Sequence, residues 1–217
     1  LVNGFPVCEA KDIPSLVTKE GVFFDNHVEF VKHFLKGQIA MEDVRRELMA
    51  QAAKMERTGL PLTHVDSHQH MHMLPGVIDI SLDVAASLHL DAVRISRTPL
   101  FTAFAGMGQL IGRLGLFTLS ELSLWKAKRR HFRVPDHFEG IVAGEAVHEG
   151  HFLHILKDLR PGTTEVMMHP GTDNEKLIPA CDWEHDFEAE MQAIVSPKVR
   201  RMIADKAVKV VNYRDLK

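Results

Sequence analysis

Segments with helical and strand patterns alternate along this chain, and that alternation limits the fold more than any other feature. Apolar residues recur at helical spacing over residues 41–55, and Pro61 then prevents the helix from continuing. A strand pattern follows at residues 63–68, a helix is predicted over residues 75–88, and residues 92–96 predict a short buried strand. Strands that alternate with helices form parallel βα units, whose sheet must be covered by helices. The sequence therefore predicts an α/β fold.

The second half of the chain continues the same pattern. Helices are predicted over residues 148–159 and 197–206, and strands over residues 165–168 and 208–212. Residues 101–125 are apolar but interrupted by glycines, which favours a pair of helices over a membrane-spanning segment. No repeat, low-complexity tract or linker divides the chain, so we predict a single domain over residues 1–217.

Composition narrows the functional classes. The formal net charge is −3 at pH 7, so no strong field would attract nucleic acid or an anionic membrane. No apolar run is long enough for a transmembrane segment, and Cys8 and Cys181 do not form a metal-binding CxxC pair. We therefore expect a cytoplasmic protein with reduced thiols and no nucleic-acid partner, and a homo-oligomer stays open.

Histidine is the residue that this chain uses most unusually. There are 14 histidines, and a dense group of them lies between Pro61 and Pro75. Side chains alternate between the two faces of a strand. If the strand continues through this segment, one face carries five polar side chains: His64, Asp66, His68, His70 and His72. A helix would align only three of the histidines, and the two flanking prolines argue against it.

These residue types suit metal chemistry. Imidazole nitrogen is the commonest transition-metal ligand, and a carboxylate completes such sites or orients a ligating imidazole. The plain alternative is a histidine-rich surface loop, or core histidines that bind the backbone. We favour a shared site, because buried polar groups need partners and five crowded on one face imply a common one. The carboxyl end of a parallel strand is also where α/β folds place their active sites.

The same segment resembles the signature of a known enzyme family. Residues 63–72, followed by Leu74 and Pro75, are similar to the signature of the YdjC-like carbohydrate deacetylases. Residues 165–171 are similar to a late strand of that family, which carries a further active-site histidine. Residues 106–119 and 135–140 resemble most the branch of the family that is associated with hopanoid biosynthesis.

The resemblance implies a fold and a set of functional residues. The fold would be an irregular TIM-like (β/α) barrel, with a divalent metal ion, Mg²⁺ or Zn²⁺, bound by one aspartate and two histidines. The first histidine of the family's Ser-His-x-His-x-His motif is a metal ligand, and it corresponds to His68. His169 corresponds to the catalytic acid near the leaving group. The side chains that would line the substrate pocket are Asp66, His70, His72 and Arg94.

Two motifs of the family are missing from this chain. These are an Ala-Asp-Asp-Phe-Gly motif, which supplies the metal aspartate and the base, and a Gly-Leu-His-Leu motif with the other metal histidine. The chain begins at Leu1, where that region would have ended, so we expect a barrel without its first strands.

The resemblance implies a hydrolase that removes an N-acetyl group from an amino-sugar-containing carbohydrate or glycolipid. A lipid-linked substrate would suit the apolar residues 101–125 and the basic run at residues 126–130. The alternative is a non-catalytic sugar-binding protein, or an inactive fragment that keeps the pocket without the metal aspartate and the base.

Overall fold

The structure, a computed structural model, describes residues 1–97, 107–140, 146–181 and 183–216. It has mixed α/β character with a small parallel sheet, which confirms the predicted fold class at that level. The two strands are β1 (His137–Glu139) and β2 (Thr164–Val166). The α-helices in the described residues are α1 (His27–Leu35), α2 (Met41–Glu56), α3 (Val77–Ser87), α4 (Met107–Arg129), α5 (Glu149–Lys157), α6 (Asn174–Cys181), α7 (Phe187–Val195) and α8 (Pro197–Asp205).

The chain divides into two compact units. Unit 1 comprises the described parts of Leu1–Ser96, Leu100–Val134 and Tyr213–Lys217, and unit 2 comprises those of Arg97–Pro99 and Pro135–Asn212. This division by contacts does not test the predicted single domain, which stays a prediction.

In unit 1, helices α2 and α3 form where the sequence predicts them. The first turn of α2 carries Glu42 and Asp43, whose charges suit the positive end of the helix dipole. Val44 and Val77 are fully buried, one on each helix, and α2 packs against α3. The core of this unit is therefore built on the apolar faces that the helical spacing indicates.

The strands predicted in unit 1 are reduced to single parallel bridges. Val65 pairs with Val93, and Ala92 pairs with Arg133. The predicted strands at residues 63–68 and 92–96 are thus present only as these contacts. Both bridges are parallel and join segments that follow one another along the chain, as the βα pattern predicts.

The predicted strand does not continue through the histidine segment, and this part of the prediction is wrong. His68–Met73 is a 3₁₀ segment in which Gln69 and His70 have left-handed backbone angles, with φ of 52° and 56°. The Ser67 carbonyl accepts the His70 N–H, and the Ser67 hydroxyl accepts the His72 N–H at 2.9 Å. Because the backbone turns here, side chains no longer alternate between two faces.

The apolar segment is one helix where the structure describes it. Helix α4 is continuous from Met107 to Arg129, so the predicted helix pair is wrong over these residues, and residues 101–106 lie outside the described part. Its basic end is engaged, because Lys126 binds Asp79 and Arg130 binds Asp83 at 2.8 Å. Within the described ranges, no helix combines the length and apolar character needed to cross a bilayer.

In unit 2, β1 pairs in parallel with β2, and His137 lies opposite Thr164. The predicted helices appear as α5 and α8, and the Ser196 hydroxyl accepts the Lys198 N–H where α8 begins. The strand predicted at residues 208–212 is wrong. The Val208 N–H instead donates to the Ile203 carbonyl and closes the end of α8, with Ala207 in a left-handed conformation.

Candidate active site in two histidine clusters

His72 is buried in the turn that ends the first predicted strand. Only 2% of its surface is exposed, and its Nε2 lies 2.7 Å from the Arg94 carbonyl oxygen. A carbonyl only accepts, so Nε2 carries a proton. Nδ1 lies 2.7 Å from the Ser67 hydroxyl, which can donate to it while accepting the His72 N–H. The ring therefore ties the turn to the next segment of backbone.

His70 and His64 each have a partner of their own. The Nδ1 atom of His70 lies 2.8 Å from the hydroxyl of Ser96, which is fully buried. The His64 ring stacks on Tyr213 with ring centroids 3.6 Å apart, and its Nδ1 lies 2.8 Å from the Thr63 hydroxyl. The imidazoles of this segment are thus dispersed among separate partners.

Asp66 and Arg94 form an ion pair beside these histidines. Arg94 donates from Nη1 to the Asp66 carboxylate, whose other oxygen accepts the Ser67 N–H at 2.6 Å. Their side chains keep 29% and 19% of their surface exposed, respectively. This pair offers both a guanidinium and a carboxylate to polar groups of a ligand.

His68 is the most accessible imidazole of the turn. It is exposed, and no hydrogen bond to its ring is found in the part of the chain that the structure describes. Desolvation lowers the pKa of His68, the positive charges of the Leu1 amino group and His27 lower it further, and Asp66 partly opposes them. The neutral imidazole, which is the form that ligates metals, is therefore favoured.

A cavity of about 330 Å³ lies next to His68 in unit 1. Its wall includes the side chains of Asp66, His68 and His72, and apolar residues of α2 and α3 such as Leu48 and Val84 complete it. Its size is in the range of small-molecule sites, and it combines an apolar lining with a few polar groups.

In unit 2, His169 follows β2 in the turn His169-Pro170-Gly171. Its backbone N–H donates to the Glu190 carboxylate on α7. The Gly171 N–H donates to the Phe187 carbonyl at 2.9 Å, and a Cβ on Gly171 would lie 2.9 Å from the Cβ atom of Phe187 on α7. The turn is held against α7 at a distance that only glycine permits.

Glu190 and His185 lie beside His169 and are both buried. One Glu190 oxygen accepts the Val147 N–H at 2.8 Å and lies 3.2 Å from the His185 Nε2. One potential ligand atom from each of His169, His185 and Glu190 lies within 4.8 Å of the other two. These three residues are compatible with a divalent metal ion, since two imidazoles and a carboxylate are ligands that zinc accepts.

Sequence reasoning missed His185 and Glu190, although one signal was available. On α7, Phe187, Glu190 and Ala193 are buried at intervals of three residues, so Glu190 occupies a core-facing position of an amphipathic helix. A carboxylate at such a position requires partners inside the protein. Which groups these are depends on tertiary packing.

The predicted site residues are divided between the two units. Unit 1 contains the predicted metal ligand and the four predicted pocket residues: Asp66, His68, His70, His72 and Arg94. The predicted acid, His169, belongs to unit 2. Within unit 1, the cavity is lined by His64, Asp66, His68 and His72. Arg94 pairs with Asp66, and the His70 ring contacts Ser96.

Comparison with known proteins identifies the family of this chain. The family model described as YdjC-like protein matches residues 1–205. The chain belongs to the YdjC-like family. All six predicted site residues, and also His185 and Glu190, lie inside the range that the YdjC-like model matches.

Several curated relatives of this YdjC-like chain are named carbohydrate deacetylase. The Mus musculus protein is 29% identical over all of this chain and 76% of its own length. The Brevibacillus brevis protein is 24% identical over all of this chain and 75% of its own length, and the Homo sapiens protein is 28% identical over 72% of its length. The similarity to these relatives is therefore spread along the whole chain.

Proposed function

We propose that this protein is a metal-dependent carbohydrate deacetylase that removes an N-acetyl group from an amino sugar. The observation that carries the proposal is its YdjC-like family membership, together with relatives named carbohydrate deacetylase that align over all of this chain. These relatives make the chain an enzyme of the hydrolase class that acts on amide bonds. The substrate is a carbohydrate, and the metal and the individual residue roles are our proposals.

His68 fits the role of a metal ligand. Its ring has no hydrogen bond among the described residues, it lines the cavity of unit 1, and its lowered pKa favours the neutral ligating form. We propose Mg²⁺ or Zn²⁺ as the ion, because the ligand set that the family resemblance implies, one carboxylate and two imidazoles, accepts several divalent metals. When bound, such an ion polarises a carbonyl oxygen and makes a bound water more acidic.

His169 is proposed as the general acid. Hydrolysis of an amide leaves an amine, which is a poor leaving group unless its nitrogen receives a proton, and imidazolium is the usual donor at neutral pH. Glu190 holds the backbone of His169 through the His169 N–H, so the imidazole projects from a turn fixed on α7. We expect His169→Ala to reduce turnover while the Mg²⁺ content of the protein is unchanged.

The proposed sugar pocket uses the groups beside His68. Arg94 and Asp66 present charged atoms at partly exposed positions and would bind hydroxyl groups of the sugar. His70 and His72 would also belong to this pocket. Because His72 is buried, it would act by holding Ser67 and the Arg94 backbone in place.

A lipid-linked substrate, as the resemblance to the hopanoid-associated branch implies, is a finer proposal. Helix α4 would supply the apolar surface for it. Two cations at the basic end of α4 already bind Asp79 and Asp83, which leaves less positive charge for lipid headgroups. A sugar without a lipid is therefore the first substrate to test.

For the fold, we propose an irregular TIM-like barrel that forms a single domain. What supports it is the parallel pairing in each unit: Val65 with Val93 and Ala92 with Arg133 in unit 1, and β1 with β2 in unit 2. Parallel neighbours that follow one another along the chain are the rule in (β/α) barrels.

The alternative proposal is a sugar-binding protein without catalysis. It assigns binding to the cavity beside His68 and to the Asp66–Arg94 pair, and it assigns no chemistry to His169. Such a protein would bind N-acetylated oligosaccharides through the cavity beside His68 and leave them intact.

Acetate release distinguishes the two proposals. The full chain is incubated with N-acetylated chito-oligosaccharides after removal of metals, and again after addition of Mg²⁺ or Zn²⁺. The deacetylase proposal predicts acetate only after metal addition. Oligosaccharide binding by calorimetry without acetate at any metal concentration would instead support the sugar-binding protein.

A further inference from the structure

Unit 2 contains a buried group of metal-ligating side chains that the proposed mechanism does not use in full. His185 and Glu190 have side-chain exposures of 3% and 2%, and their ligand atoms lie within 4.8 Å of that of His169. The mechanism assigns a role only to His169. The function of a buried imidazole and a buried carboxylate at this position therefore needs an explanation.

The geometry of the His185–Glu190 pair differs from that of an ordinary hydrogen bond. The Nε2 atom of His185 lies 3.2 Å from Glu190 Oε1, yet this nitrogen has no hydrogen-bond partner among the described residues. A buried nitrogen without a partner loses its solvation without compensation, which is unfavourable. The pair is close enough to bond but not aligned to do so.

A shared cation would account for this separation. Zinc binds imidazole nitrogen and carboxylate oxygen at about 2.0–2.2 Å in tetrahedral geometry, which places adjacent ligand atoms about 3.3–3.6 Å apart. The observed 3.2 Å between Nε2 and Oε1 is close to the lower limit of that spacing. A metal ion that accepts a lone pair from each of these atoms would give the buried His185 nitrogen a partner and would hold both groups in place.

The surroundings orient the carboxylate and one ring. Glu190 accepts the N–H groups of Val147 and His169, which fix its plane, and Trp183 stacks on the His185 ring with centroids 4.0 Å apart. Metal ligands are commonly held by such surrounding contacts. His169 is half-buried, and its ring contacts that of His185 edge to face, with ring centroids 5.4 Å apart. His169 is thus the third member of the group.

We propose that His169, His185 and Glu190 form a binding site for a transition-metal ion such as Zn²⁺, and that occupancy of this site inhibits the enzyme. The inhibitory part rests on the proposed function. An imidazolium carries a proton on both ring nitrogens, so His169 cannot be metal-bound and act as the proposed acid at the same time. The ligands proposed here differ from the one assigned to the ion at His68.

Binding is tested without substrate on the full chain, with Co²⁺ alone as the probe. A Trp125→Phe background leaves Trp183 as the single tryptophan, and bound Co²⁺ should quench its fluorescence because Trp183 stacks on His185. His185→Gln should weaken Co²⁺ binding by more than about 100-fold, since even changes around metal ligands cost roughly 10–100-fold.

The matched control is His154→Gln, which removes an exposed histidine of the same unit. It should bind Co²⁺ as the parent protein does. Because His185 is buried, His169→Gln at a half-buried position serves as a second variant and should also lose Co²⁺ binding. Equal affinity in the parent, His185→Gln and His169→Gln would overturn the site.

Inhibition is tested separately by acetate release in Mg²⁺ with added Zn²⁺. Activity should fall at the Zn²⁺ concentrations that displace Co²⁺, and His185→Gln should lose this Zn²⁺ sensitivity relative to its own activity without zinc. Full activity of the parent with the site occupied would overturn the inhibitory part. If no acetate forms with any metal, the proposed function fails, and the Co²⁺ titration still decides the site.

Discussion

The two histidine clusters of this protein differ in how closeness in sequence relates to closeness in space. In unit 1, His64, His70 and His72 lie within nine residues, yet each ring has its own partner: Tyr213, Ser96, or Ser67 with the Arg94 carbonyl. In unit 2, His169, His185 and Glu190 are spread over 22 residues, yet their ligand atoms lie within 4.8 Å of one another. Histidines that are close in sequence can therefore have different bonding partners, even where His64, His68 and His72 line one cavity.

The cause of the difference is the backbone between the side chains. A strand would have held the unit 1 histidines on one face, but left-handed residues Gln69 and His70 turn the chain and separate them. In unit 2, the turn after β2 packs on α7, so a residue from each is brought together. In unit 1, His68 is the most accessible imidazole of the turn. In unit 2, the ligand atoms of His169, His185 and Glu190 lie close together.

The largest expected effect is the loss of stability when Glu190 of unit 2 is replaced by alanine. Glu190→Ala removes the acceptor for the Val147 and His169 N–H groups and leaves His185 buried without its carboxylate. Each backbone N–H that is left without its acceptor lowers the free energy of unfolding by about 1–3 kcal/mol. Urea denaturation measures it, with Glu175→Ala at an exposed position of α6 as the control. A change as small as that of the control would mean that the group is not a structural centre of unit 2.

A somewhat smaller effect is expected for His72. His72→Ala removes a fully buried ring with hydrogen bonds at both nitrogens, so the free energy of unfolding should fall by about 3 kcal/mol. His154→Ala, at an exposed site, should change it by less than about 0.5 kcal/mol. If the two variants were equally stable, the hydrogen bonds of His72 would not hold the turn of unit 1 in place.

The separate partner of His70 is tested by a double-mutant cycle with Ser96. The 2.8 Å contact between Nδ1 and the hydroxyl should give a coupling free energy of about 1 kcal/mol in denaturation experiments. His70 with Asp66 should show a smaller coupling. A larger coupling to Asp66 than to Ser96 would restore the idea of a shared polar face.

The smallest effect concerns the protonation of His68. Because burial lowers its pKa, the NMR titration of the His68 ring should have a midpoint below the value of about 6.5 for an unperturbed histidine. The unfolded chain then binds more protons than the folded one, so stability decreases as pH falls below about 6.5. His68→Gln should remove this contribution to acid destabilisation. A midpoint above the unperturbed value would show a charged ring, which is unsuited to bind metal.

The sequence predicts the helices better than the strands or the sites. Helices α2, α3, α5 and α8 have clear apolar spacing or flanking residues that cap or stop a helix, and these signals are local. The turn at Gln69 and His70 could not be predicted, because left-handed backbone angles at non-glycine residues are set by contacts such as those of Ser67. The group around Glu190 depends on the packing of α7 on a turn 21 residues earlier, which periodicity does not reveal.

The most direct test of the account is acetate release from an N-acetylated chito-oligosaccharide by the parent protein and by His68→Ala and His70→Ala, with metal content measured in each. The account predicts metal-dependent acetate from the parent, none above background from His68→Ala, and retained metal in His70→Ala, whose ring binds Ser96. Parent-level turnover by His68→Ala at full metal loading would contradict it.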